Sequence, residues 1–361
     1  MIRRTALALT LALLAGSYRL DCFAEPGRTT GDVAAAAQRF LDTLDDGQRG
    51  KVVFDLNDAE QRKRWSNLPT GAFRRAGLRM GDLAQPQRDA AMAVLAAALS
   101  PAGYEKVQQI VEGDEVLRKG EGGGRGGPGG PGGGGKKGGK GGKGGGGASF
   151  GRDNYYISFL GKPSASDPWM IQFGGHHLGL NVMLAGDNGT LAPSHTGAQP
   201  AVYEIERKTI RPLGREVDKA FALLSSLDEG QRKKAILGFQ MRDLVLGPGR
   251  DGKMIEPEGI KGADLSENQR EMLLDLACEW TAISRELVAA AKKQEMKKNV
   301  SETWFAWSGP TEKGGAAYFR VQGPTVFIEY APQRLGGDPT KHIHTIYRDP
   351  TNEYGAKWTK P

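Results

Sequence analysis

The segment LDDGQRGK at residues 44–51 returns as LDEGQRKK at residues 227–234, and GLRMGDLAQPQRDAAM at 77–92 returns as GIKGADLSENQREMLL at 259–274. The offsets are 183 and 182, so one register relates both pairs. In the two copies of the second motif, Asp82 and Asp264 each precede a run with helical apolar spacing, which predicts an N-cap and long helices reaching about Leu99 and Lys292. Strand-like runs follow in the same order in both halves. YYISFLGKP parallels TWFAWSGP, and PWMIQFGGHHLGLNV parallels AYFRVQGPTVFIEY. Each half reads as helices followed by antiparallel strands, so the expected fold class is α+β. Two copies of a helix-plus-antiparallel-sheet unit with pseudo-twofold symmetry make one domain over 25–361. Its halves span about 30–205 and 210–355.

Composition sets the remaining bounds. The chain has 361 residues and 53 glycines, of which twenty lie between positions 120 and 147. The net charge of +7 is local in the same way, with +2 in residues 1–24 and +4 in 120–147. The remainder is close to neutral, so no specific nucleic-acid partner is expected. The stretch 119–148 reads as a disordered, solvated Gly/Lys-rich insert. Residues 1–24 combine Arg3 and Arg4 with the apolar run ALALTLALLAG and a small residue at Ala24. That is the pattern of a cleavable signal peptide, and it predicts an exported protein, periplasmic or extracellular, with no transmembrane segment after removal. Cys278 would then be the single cysteine of the mature chain, and it is expected to be a small core residue. Two motif matches fail on context. GASFG at 147–151 follows the glycine tract, not a strand, and GPGRDGK at 247–253 is not followed by a helix. No nucleotide cofactor is expected.

Chemistry concentrates in five histidines. In HHLGLNV, strand alternation puts His176 with Leu178 and Leu180 on the core face and His177 with Asn181 on the other. In GPTVFIEY the aligned position of Asn181 is Glu329. In KHIHTIYRDP, His342 and His344 project from one face of an extended segment. His177, His342, His344 and Glu329 are therefore the expected metal ligands, for zinc, copper or iron, with His176 and Asn181 as additional members. Glu329 is a ligand or general base, Arg348 a clamp for a substrate carboxylate or phosphate, and Asp349 an acceptor that orients an imidazole. His195 stands in a turn-rich segment, apart from the expected site. Two functions fit: a metal-dependent enzyme, hydrolytic or oxidative, acting on a small molecule or peptide, or a non-catalytic exported binding or scaffold protein with structural histidines.

GGHHLGLNV, VFIEYAPQ and HIHTIYRDPTNEYG, preceded by FLDTLDDGQR, resemble the bacterial family called domain of unknown function 3500, over about residues 40–354. The resemblance implies that His176, His177, Asn181, Glu329, His342, His344, Arg348 and Asp349 match positions of the family's pattern. It brings no activity with it. The Gly/Lys-rich insert and His195 depart from that pattern, which marks the insert as peripheral. Excising residues 120–147 with a short linker should leave the melting temperature unchanged, and a large loss of stability would show that the insert has a structural partner.

Overall fold

A computed structural model describes residues 29–121, 149–335 and 337–359. The expected signal peptide at 1–24 lies outside the described residues, as does most of the expected insert, whose residues 119–121 end a helix. The first part of the chain forms α1 (Thr30–Asp42), α2 (Asp46–Val52), β1 (Val53–Phe54), α3 (Ala59–Arg62), β2 (Leu78–Arg79), α4 (Gln85–Ala98) and α5 (Pro101–Glu121). Its strands follow: β3 (Tyr156–Leu160), β4 (Trp169–Gly175), β5 (Leu178–Ala185), β6 (Asn188–Thr190) and β7 (Ser194–Ala198). A separate hairpin of β8 (Tyr203–Ile205) and β9 (Lys208–Ile210) turns at Glu206-Arg207, both at positive φ. The second part runs α6 (Gly214–Ser226), α7 (Glu229–Ala235), β10 (Ile260–Lys261), α8 (Glu267–Thr281) and α9 (Glu286–Lys298). It closes with β11 (Trp304–Ser308), β12 (Tyr318–Gly323), β13 (Val326–Pro332) and β14 (Ile343–Arg348). Helices and a largely antiparallel sheet are segregated, so the fold is α+β. Strand order in the main sheet is β1-β3-β4-β5-β7-β14-β13-β12-β11-β10.

The repeated residues do the same work at both places. Asp45 and Asp228 each close a capping box with the Gln three residues later. The Gln87 amide donates to Gln48 at 2.9 Å, and the Gln269 amide donates to Gln231 at 2.8 Å. Arg49 Nε reaches the Leu44 carbonyl at 3.1 Å, and Arg232 Nε the Leu227 carbonyl at 3.0 Å. The helix starts, however, are later than expected. Asp82 and Asp264 end short 3₁₀ turns, and the N-caps are Ala84 and Ser266. Their carboxylates pair instead with Arg79 and Lys234. The second long helix is also broken, because residues 282–285 separate α8 from α9. This break meets the one between α4 and α5: the Ser100 amide donates to the Ile283 carbonyl at 3.1 Å, and its hydroxyl to the Ala282 carbonyl at 2.6 Å. Backbone groups freed at two helix ends satisfy each other.

One sheet face carries Phe159, Ile171, Val182, Trp307, Phe319 and Tyr330 into the main core against Phe40, Leu95, Phe221 and Trp280. The other face is polar. Direct pairing sets Ser158, Gln172 and Asn181 in one row, and His195, Ile346, Glu329 and Arg320 in another. This face is buried as well, because segments around 61–75 and 244–258 roof it. Gln61 donates to Gln172, the Trp65 ring covers Gly179, and the Val245 and Leu246 amides donate to Glu329.

Gly77 and Gly259 enter their strands at φ +100° and +98°, where a Cβ would drive into the carbonyl oxygens of Ile157 and Phe305. Gly77→Ala and Gly259→Ala should each cost about 1–3 kcal/mol in urea unfolding. Free tolerance of either would contradict the close backbone approach.

Candidate metal centre

The site begins at a turn. Gly175 pairs with Leu178, so His176 and His177 are the two loop residues between β4 and β5, not strand residues. His177 takes φ 62°, which is uncommon for a non-glycine residue. The expected alternation is therefore corrected: both imidazoles project to one side and lie against each other, with centroids 3.6 Å apart. The turn is pinned through its backbone. The His177 amide donates to the Asn67 carbonyl at 3.1 Å, and its carbonyl accepts from the Gly197 amide at 2.7 Å. Gly197 pairs with His344 across β7 and β14, and a Cβ there would sit 3.2 Å from the His177 ring. The missing side chain is the space that the His177 imidazole fills.

His342 and His344 come together as expected from their i, i+2 spacing. His342 stands just before β14, where its Nδ1 donates to the Leu335 carbonyl at 2.7 Å. That tautomer leaves the Nε2 lone pair facing inward. His342 Nε2 is 2.9 Å from His177 Nε2 and 3.1 Å from His344 Nε2. Three buried or nearly buried imidazoles thus offer ligand atoms within 4.8 Å of one another. Burial holds His177 well below the ordinary imidazole range, and neighbouring imidazoles add to the effect. His342 is pushed down to about 4 by burial. Burial also lowers His344, against an upward pull from Asp243. Neutral imidazoles at neutral pH each present one lone pair, and one lone pair on His342 cannot satisfy two N–H donors. Imidazoles bound to one tetrahedral ion at about 2.0–2.1 Å hold their nitrogens about 3.3 Å apart, close to the spacing found.

The other expected members are placed elsewhere. Asn181 is fully buried in a network, accepting from Gln172 at 2.9 Å and donating to the Pro193 carbonyl at 2.8 Å. Glu329 does not join the imidazoles. Its oxygens accept from the Val245 and Leu246 amides, both at 2.8 Å, and from the Tyr318 hydroxyl at 2.7 Å, while burial raises its carboxyl. Arg348 is committed to the Leu246 and Gly247 carbonyls and to Glu353 and Asp251, so it is a clasp for the roofing segment and not a free clamp. Asp349 pairs with Lys292 at 2.6 Å on the helical side of the sheet. Alternation along β14 separates it from the histidines. Cys278 is half-buried on α8, with burial raising its thiol.

Four residues near the centre escape the sequence reading. Asp114 on α5 accepts from His176 Nδ1 at 2.6 Å. Asn67 lies 3.4 Å from the His344 ring nitrogens, and Asp243 lies 3.9 Å from His344 Nδ1. His195 belongs to β7, not to a loop. It is fully buried with its ring centroid 5.3 Å from that of His344, and neither of its nitrogens has a hydrogen-bond partner. For His195 a signal existed, since SHTGA alternates as a strand; for Asp114, Asn67 and Asp243 none did.

A family model described as Protein of unknown function (DUF3500) matches residues 26–356. No curated protein and no solved structure matches the chain. Among the described residues, no helix is long and apolar enough to cross a membrane.

Gly197→Ala should cost about 1–3 kcal/mol in urea unfolding, because its Cβ would stand 2.8 Å from the Ile343 carbonyl oxygen and 3.2 Å from the His177 ring. Undiminished stability would show that neither the ring nor the strand needs this space.

Proposed function

The chain belongs to the DUF3500 family, and from its histidine cluster we propose that it is an exported metal-dependent hydrolase whose His177, His342 and His344 hold one divalent transition ion, zinc first. The observation that carries this reading is the convergence of three Nε2 atoms, with the His342 tautomer set by a backbone carbonyl so that its lone pair points inward. A carbonyl or carboxylate on the distal nitrogen is the usual outer support of a metal-bound imidazole. His344 has Asp243 in that position. Held by these three histidines, such an ion would supply a water activated for hydrolysis, its pKa lowered to roughly 7. The side chain of His344 is 11% exposed, between Asn67 and the largely exposed Asp243, so this edge is the side from which a small molecule or peptide would arrive. Glu329, Arg348 and Asn181 then support the centre by fixing the roof and sheet around it.

Export is supported by the basic and apolar pattern of residues 1–24. Descent of the two halves from one duplicated unit is supported by their shared element order, recurring capping boxes and glutamine pairs, and a strand order that mirrors about β7 and β14. The boundary between halves then falls at the β8–β9 hairpin.

Metal analysis of the purified protein is the test. Wild type should carry a stoichiometric first-row ion, and H342A/H344A should hold at least one equivalent less. Equal metal in the two, or none in wild type, would overturn the proposal.

A further inference from the structure

His177 belongs to a second cluster. Asp114, His176 and His177 offer one carboxylate oxygen and two imidazole nitrogens within 4.8 Å of one another. They are 1%, 6% and 1% exposed. The positive φ of His177 brings two consecutive imidazoles to the same side, an arrangement a regular strand cannot make. Asp114 comes to them from α5, and its other oxygen accepts from the Gly151 amide at 2.7 Å. A buried carboxylate calls for a cation; the ion pair formed by Asp114 is with His176, while the part-buried Arg75 guanidinium, hydrogen-bonded to the Ser66, Leu68 and Gly175 carbonyls, acts on Asp114 only through space. The Phe150 ring packs on His176 with centroids 4.8 Å apart and screens this side from water.

We propose that Asp114, His176 and His177 form a second metal site, with the His177 imidazole bridging two ions. Nε2 of His177 serves the three-histidine centre, and Nδ1 serves the second ion. Two histidines and one carboxylate are a donor set suited to zinc, copper or iron. Binding the second ion displaces two protons to solvent, the His176 Nδ1 proton that Asp114 accepts and the remaining N–H proton of His177, so that the bridging ring is an imidazolate. The inference rests on the three-histidine reading through the shared His177, and stoichiometry separates the two. A hydrogen-bonded Asp114–His176 pair that only orients a ring would leave one ion per chain.

The experiment uses the purified chain, stripped with a chelator and titrated separately with zinc and copper(II), with bound metal counted after gel filtration. Wild type should bind two equivalents, and D114N, H176Q and H342Q/H344Q one each. In D114N the carbonyl oxygen can still accept from the Gly151 amide. Copper-loaded wild type should show the paramagnetic resonance signal of a coupled pair, lost in D114N and H176Q. One equivalent in wild type that disappears in H342Q/H344Q and survives in D114N would overturn the second site alone. No binding in wild type would overturn both readings. Two equivalents kept by D114N and H176Q would place the second ion elsewhere and overturn this one. Circular dichroism checks each variant; should D114N fail to fold, H176Q and the wild-type copper spectrum decide.

Discussion

Five residue pairs between β7 and β14 hold the two strand sets together. At their centre Thr196 and Thr345 share a hydroxyl–hydroxyl hydrogen bond of 2.7 Å, and the Trp280 indole donates to Thr345 from the helical side. The placing of the three imidazoles depends on this register. It sets Gly197 opposite His344, which opens the space for His177, and it brings a turn from one part of the chain to a strand from the other. Slipping the pairing by one residue would send His344 to the core face and the threonines to the polar one.

The polar face shows how such a site is kept dry. Buried polar groups are costly unless paired, and here the roof supplies partners as well as cover. Gln61 caps the Gln172–Asn181 row, the 245–246 amides satisfy Glu329, and Arg348 holds the same segment through its carbonyls. Charge pairing is thus used for construction, and the Nε2 atoms of His177, His342 and His344 are left facing one another. Burial favours the neutral form of those imidazoles, the form that a metal ligand requires.

Helices and strands were legible in the sequence because they rest on local rules. Asp45-x-x-Gln48 and Asp228-x-x-Gln231 cap helices wherever they occur, and apolar alternation marks β4, β5, β13 and β14. The meeting of His342 and His344 followed from i, i+2 geometry alone. Their meeting with His177 was foreseen, but for a reason that the fold corrects: His177 reaches the site from a left-handed turn position, and not from a strand face. Glu329, Arg348 and Asp349 look like site chemistry in a linear reading, since sequence shows which groups can react but not which partners already occupy them. Asp114 carried no local signal, because it reaches His176 only through the packing of α5 against a hairpin turn 62 residues later. Local periodicity and capping therefore determined the elements and the candidate imidazoles. Tertiary structure decided which side chains are consumed in holding the sheet and its roof and which three nitrogens converge, because both depend on contacts between segments that the backbone's short-range preferences do not encode.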